Sequence, residues 1–314
     1  MRNRNNTVAA SAMAALAITG AAALVPRSAL PMHMHMHMHV DEARLAEIET
    51  VRSALAPPRP ARADEFRATV VIAACTGTRV GPRHYLTAAH CVIDPATRKL
   101  KDWLSPPYPI TLTNRLDTAH PSPDDVEAQV GIQAVHVHPR YRWDVQQSFS
   151  DEDYRPDVAV MIVDREIDGI PIMPVGAWRV ETSQSLMLVG TRPPVIEPAD
   201  AAPTERRIKL IPARAVDTDP FYGFDAGALD RAFFLTVGPA AKNREYAIGF
   251  GDSGGAAYDI VEGQSFIVGV HAVIFSTTTG HTRLDTMSGI ASWLEGLGVW
   301  VVHDRKLSKG GAPL

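Results

Sequence analysis

The sequence predicts an all-β fold, a barrel or a sandwich of many short strands. Three observations carry this expectation. From Phe66 onward, eight segments are strand-like and rich in β-branched residues: Ala68–Ala74, Gln133–Val137, Val158–Val163, Ser185–Val189, Arg207–Ala213, Ala232–Val237, Ala256–Asp259 and Phe266–Val270. Glycine and proline punctuate the stretches between them. Only one convincing helical segment follows, around Ser288–Leu297. Many short strands with turn signals and little helix suit a barrel or sandwich better than any layered α/β arrangement.

Composition supports a globular body. The chain has 314 residues, of which 46% are hydrophobic and 21% charged. That supplies enough apolar surface for a substantial core, and β-barrel bodies of this size often count as one domain. The formal net charge is −4. Basic residues are scattered, so no nucleic-acid partner is expected.

Taken in order, the chain opens with a signal-like segment. Arg2 and Arg4 precede an uncharged, Ala-rich run from Thr7 to Val25. A positive start before an apolar run reads as an export signal peptide, and Ala21 and Ala23 offer a small-x-small cleavage site. The other reading is an uncleaved N-terminal anchor, since the run is nearly long enough to span a bilayer. Residues 1–30 are assigned to this segment. Residues 31–63 follow. Met32 to His39 alternate Met and His. Both side chains bind soft metals, but alternation in a flexible chain fixes no coordination shell, so the tract reads as a low-complexity linker. Val40 to Leu55 then carries Leu45, Ile48, Val51 and Leu55 at helical spacing. Pro57-Pro58-Arg59-Pro60 ends it. This short helix and Pro-rich linker read as a propeptide or a spacer. Residues 64–304 form the body, and 305–314 a tail.

Three segments of the body carry chemistry: Leu86-Thr87-Ala88-Ala89-His90-Cys91, Asp157-Val158-Ala159-Val160 and Gly251-Asp252-Ser253-Gly254-Gly255. Amide hydrolysis by a serine hydroxyl needs a base to take its proton during attack. Histidine suits that role near neutral pH. A carboxylate on the other ring nitrogen fixes the tautomer and stabilises the imidazolium. Glycines beside the serine let backbone N–H groups converge on the developing oxyanion. The catalytic candidates are therefore His90, Asp157 and Ser253, with the N–H groups of Gly251 and Ser253 as oxyanion donors.

These residues resemble the chymotrypsin-like (trypsin-like) serine proteases. T-A-A-H-C at 87–91 resembles that family's histidine motif, with Cys75 to Gly81 as the strand and turn leading to it. His138-Pro139-Arg140-Tyr141 resembles the segment before the aspartate, and Asp157-Val158-Ala159-Val160 the aspartate motif itself. G-D-S-G-G at 251–255 is similar to the nucleophile motif, and Thr282-Arg283-Leu284 with Trp293 to the C-terminal end. The order His, Asp, Ser is also that of the family. The resemblance runs from about Arg67 to Leu297. The sparse cysteines fit a bacterial member.

The resemblance implies two six-stranded antiparallel β-barrels with the catalytic cleft between them and a C-terminal helix. It implies a disulfide between Cys75 and Cys91, which an oxidising compartment permits. Departures bear on specificity. Ala256 replaces the proline that usually follows the nucleophile motif. No I-V-G-G-like start precedes the body, so the partner of Asp252 is open, and Arg59, Arg62 and Arg67 are the candidate activation sites. Six residues before Ser253, where a trypsin-like enzyme has aspartate, stands Ala247. His271, in Gly269-Val270-His271-Ala272, occupies the pocket-wall strand; glutamyl endopeptidases use a histidine there to bind acidic side chains, and packing alone is the other reading. Ala247 and His271 are thus the specificity-pocket residues. A preference for Arg or Lys is disfavoured.

The functional expectation is a serine endopeptidase, with a catalytically silent or latent protease-like binding protein as the alternative, and esterase action as a weaker third reading. No cofactor and no metal site are expected. Protein or peptide substrates are the expected partners of a monomeric, exported protein, secreted or periplasmic; a membrane enters only if the N-terminal segment stays uncleaved.

Overall fold

The computed structural model describes residues 42–60, 65–94, 97–104, 109–114, 123, 125–141, 156–191, 209–216, 233–239, 248–274 and 278–305. The signal-like segment, the Met/His tract, Arg62, Ala247 and residues 306–314 lie outside them.

Two antiparallel sheets account for most of the body. The first is made from β2 (Thr69–Ile72), β3 (Cys75–Arg79), β4 (His84–Thr87), β5 (Ile110–Thr113), β6 (Glu127–Val130), β7 (Ile132–Val137) and β8 (Ala159–Val163). Their order is β6-β5-β2-β3-β4-β8-β7. The two outermost strands, β6 and β7, are consecutive in sequence and separated by Gly131 alone. Counted as one bent strand they make six, so the chain itself curls one side of the sheet round to the other. Strands β2 and β8 are almost entirely buried, which explains their unbroken Val/Ile/Met runs.

The second sheet closes by pairing. It contains β10 (Ser185–Gly190), β11 (Lys209–Val216), β12 (Phe233–Val237), β13 (Ala256–Val261), β14 (Gln264–Ile274) and β15 (Thr279–Arg283). The path β13-β10-β11-β12-β15-β14 returns to its start through the β13–β14 hairpin, which makes a six-stranded barrel. Two short strands, β9 (Val175–Gly176) and β16 (Val301–Val302), add to it in parallel. The architecture is the expected all-β one.

Three α-helices and one 3-10 turn, Asp102–Leu104, complete the described fold. α1 (Glu42–Ala54) and the two-residue strand β1 (Arg59–Pro60) come from the N-terminal segment. The helix buries Ile48 to 1% exposure in the main core, with Val51 packed beside it, while Leu45 is exposed. β1 pairs with β11, Arg59 opposite Leu210 and Pro60 opposite Lys209. This segment therefore both pairs with and packs into the body. α2 (Ala89–Val92) is a single turn. α3 (Ile290–Gly296) begins after Gly289, whose φ of 74° favours glycine. It buries Ile290 and Leu294 and sets Trp293 edge-on to His138, ring centroids 5.1 Å apart, just beyond β7. This helix thus packs against the first barrel.

The main core runs across both barrels, from Val70, Leu86 and Met161 to Leu210, Tyr258 and Val270. A second cluster lies within the second barrel around Trp178, Phe234 and Phe266.

Candidate active site

His90 sits on the single turn α2, directly after β4. Ladder register brings Asp157 to it: Thr87 pairs with Ala159, so the antiparallel chains place the residues before β8 beside those after β4. The carboxylate makes two contacts with the same residue. Oδ1 accepts the His90 backbone N–H at 2.9 Å, and Oδ2 accepts Nδ1–H at 2.6 Å. Two bonds fix both the position and the rotation of the imidazole. With the proton on Nδ1, the neutral ring carries its lone pair on Nε2. Asp157 is 7% exposed overall, and its carbonyl accepts the Thr282 hydroxyl at 3.1 Å. The first barrel supplies both His90 and Asp157 while the second clamps the aspartate's backbone. Other aspartates stand close to Asp157 in sequence: Asp164 is a surface group paired with Arg165, and Asp151 and Asp153 lie outside the described residues.

Ser253 lies in the loop before β13. That loop is held against the first barrel by β3. Thr76 N–H donates to the Ser253 carbonyl at 2.8 Å, and the Thr76 hydroxyl to the Gly251 carbonyl at 2.8 Å. Gly254, with φ of 83°, fits where nothing larger can: a Cβ there would lie 2.2 Å from Thr87 Oγ1 and 2.3 Å from the Thr76 carbonyl. Gly251 has φ of 94°. The positive φ at both residues folds the loop so that its carbonyls engage Thr76. The Gly251 and Ser253 N–H groups donate to no backbone acceptor among the described residues.

Cys75 and Cys91 form a disulfide, as the resemblance implied. It ties β3 to α2 across 16 positions of sequence. Cys91 Sγ lies 3.6 Å from the Ser253 carbonyl oxygen and 3.9 Å from His90 Nε2. The disulfide therefore lies between the histidine turn and the serine loop.

Asp252 is 1% exposed and held by the second barrel. Oδ1 accepts the Thr191 N–H at 2.6 Å and Oδ2 the Gly249 N–H at 2.9 Å. These contacts brace the residue next to Ser253 from inside the same barrel.

His271 lies on β14, the expected wall strand. It is 1% exposed, and both ring nitrogens are engaged. Nε2 lies 3.1 Å from the Val189 carbonyl, and Nδ1 lies 2.9 Å from Nδ1 of His281. The tautomers follow. A carbonyl only accepts, so His271 Nε2 carries the proton and its Nδ1 accepts. His281 Nδ1–H therefore donates, and His281 Nε2 accepts the Thr236 hydroxyl at 2.7 Å. Burial pushes His271 down to about 4 and holds His281 well below the usual histidine range, the neighbouring ring adding to the latter. Both are neutral at pH 7. The expectation left open binding of an acidic side chain or packing alone; in the structure the ring N–H goes to Val189. Beside the position of Ala247, Ile248 is buried and Phe250 is half exposed.

Sequence reasoning missed Thr76, Thr191, Thr236, Thr282 and His281. Thr76 and Thr282 stood inside segments that carried the resemblance, without a role of their own; His281 stands directly before Thr282-Arg283-Leu284, ten positions after His271, a separation a hairpin can close.

No family model and no curated protein matches the chain. Solved structures do. A Glu endopeptidase solved in complex with MPD aligns with TM-score 0.54 at 16% identity, over 79% of this chain and 99% of that one. Human heparin binding protein (CAP37) aligns with TM-score 0.53 at 16% identity, over 83% of this chain and 100% of its own. A double mutant of the same human protein aligns equally well. One neighbour is named for proteolysis and the other for binding, so the shared property is the fold.

Proposed function

Starting from a chain with the chymotrypsin-like serine-protease fold, we propose that the protein is a serine endopeptidase in which His90, Asp157 and Ser253 form the catalytic triad. The observation that carries this reading is the double contact of Asp157 with His90, made while Thr76 docks the Ser253 loop beside the same turn. His90 Nε2 takes the Ser253 proton as the hydroxyl attacks the scissile carbonyl. Asp157 stabilises the resulting imidazolium. The Gly251 and Ser253 N–H groups receive the oxyanion. His90 then returns the proton to the leaving amine, and water releases the acyl group by the same route.

Substrates are protein or peptide chains, and the protein acts as an exported monomer. Among the described residues no helix is long and apolar enough to cross a membrane. Basic P1 residues are poor substrates, because Ala247 replaces the aspartate with which a trypsin-like enzyme pairs them, and a buried cation without that partner bears a desolvation penalty of several kcal/mol. The histidine pair behind the wall is neutral at pH 7, so small neutral and apolar side chains are preferred there. Acidic ones gain only as His271 charges towards pH 4.

The test is a peptide library cleaved by purified protein beside Ser253→Ala. The variant should lose roughly four to six orders of magnitude in kcat while keeping the native fold. A phosphonate should label Ser253 alone. Wild-type activity in Ser253→Ala sinks the triad. A folded wild-type protein that neither cleaves nor reacts is a binding protein on this fold, the reading the human heparin binding protein represents. Best cleavage after Arg or Lys overturns the pocket assignment only.

A further inference from the structure

The disulfide and the catalytic base make an unusual cluster. One donor atom each from Cys75, His90 and Cys91 lies within 4.8 Å of the other two. Two sulfurs and an imidazole nitrogen are the donor set of soft, tetrahedral divalent ions. In a tetrahedral zinc site, bond lengths of about 2.3 Å to sulfur and 2.0–2.1 Å to nitrogen put neighbouring sulfur and nitrogen roughly 3.5 Å apart. Cys91 Sγ and His90 Nε2 are already 3.9 Å apart.

We propose that Cys75 and Cys91, once reduced, form with His90 a binding site for a soft divalent cation of the zinc class, which then occupies Nε2 of the histidine. The outer support of such a site is present. A metal-bound histidine is normally oriented by a carboxylate on its other nitrogen, and Asp157 accepts His90 Nδ1–H at 2.6 Å. The ring also presents its unprotonated nitrogen, the form a metal takes. Cys91 is buried, but Cys75 is half buried and the His90 side chain is 23% exposed, so a small reductant and an ion reach the cluster by way of these two residues.

The chemistry balances simply. Two small thiols give two electrons to the disulfide and leave as their own disulfide, with two cysteine thiols formed. The cation then binds both sulfurs as thiolates and releases two protons. Water from the cleft completes four ligands. Rotation about χ1 of the two cysteines parts the sulfurs to the spacing the ion requires. The metal and the reacting serine compete for one nitrogen, so the reduced, metal-loaded protein is silent and oxidation restores it. Silencing rests on the catalytic reading above; metal binding does not.

The experiment uses the full chain. It is reduced with a small dithiol, desalted without air, and titrated with Cd²⁺ while thiolate-to-metal absorption and near-ultraviolet circular dichroism are followed. One ion per chain is expected in the reduced protein and none in the oxidised. His90→Ala should weaken binding roughly tenfold or more, and Asp157→Asn by about 10–100-fold, the range for lost outer support. Ser253→Ala should bind as the wild type does. Equal Cd²⁺ affinity in His90→Ala overturns the proposal, as does equal binding by the oxidised chain. A reduced chain that loses its native dichroism and does not recover it with Cd²⁺ overturns it too. In peptide cleavage, Zn²⁺ should inhibit only after reduction, and a chelator should reverse the effect. Cd²⁺ binding by a protein that cleaves nothing in any state supports the site and removes the endopeptidase reading.

Discussion

His271 and His281 are the residues on which pH acts most directly. Unfolded, each ring protonates near the ordinary value of about 6.5. Folded, burial holds His271 to about 4 and keeps His281 well below the usual histidine range. The unfolded chain therefore binds more protons over that interval, and stability rises with pH through it. Stability is fully present above pH 6.5 and is lost as pH falls towards 4. For His271 alone the loss reaches roughly 3 kcal/mol at the acid end. His138, pushed to about 4 by burial and by Arg140, loses stability in the same direction. Urea unfolding from pH 7.5 to 4 should show this slope, and His271→Gln, whose amide can still donate to Val189, should flatten it. An unchanged slope in that variant would mean the ring already titrates normally in the fold. The catalytic candidates were legible because each stands inside a distinctive run of neighbours. The histidine pair was not, because it exists only through the strand register that puts His271 opposite His281.

Among the elements, α1 shows how little of a segment's fate its own pattern reveals. Its spacing predicted a helix, and a helix formed. Nothing in 13 residues showed that Ile48 would enter the core of a body whose other members come from residue 70 onward. The consequence is measurable. Ile48→Ala should cost about 2–5 kcal/mol, as for other buried large-to-small changes. Leu45→Ala, on an exposed position, should cost under about 0.5 kcal/mol. Denaturant midpoints of the two variants decide it; equal small effects would mean that the helix is only laid against the surface. Other elements were illegible for a different reason. β9 and β16 are two residues each, too short for any periodicity, and are strands only because Val301 finds Val175. Gly131 reads as an ordinary turn residue, yet it is where one strand bends to serve both sides of the first sheet.

For the whole molecule, the decisive contacts are those that cross between barrels. Thr76 makes three of them, to the carbonyls of Gly251 and Ser253 and to the Thr191 hydroxyl at 2.9 Å. Thr76→Val keeps the shape and removes the hydroxyl. It should cost about 1–3 kcal/mol in stability. It should also lower kcat about tenfold, the equivalent of 1.4 kcal/mol in the barrier. A stability loss with wild-type kcat would show that the serine loop holds its form without the first barrel. The two-barrel plan was readable from the motifs, but the single core joining them was not, since it depends on which strand faces meet. β11 offers a last consequence at this scale. One flank pairs with β10 at residues 209–214, while the other is shared by β1 at residues 209–210 and β12 at 214–216. Pro212 sits in the gap between these partners and brings no backbone N–H of its own. Removing residues before 61 would uncover the start of β11 as a free hydrogen-bonding template. A chain trimmed there should self-associate as its concentration rises, which sedimentation of the two chains would show.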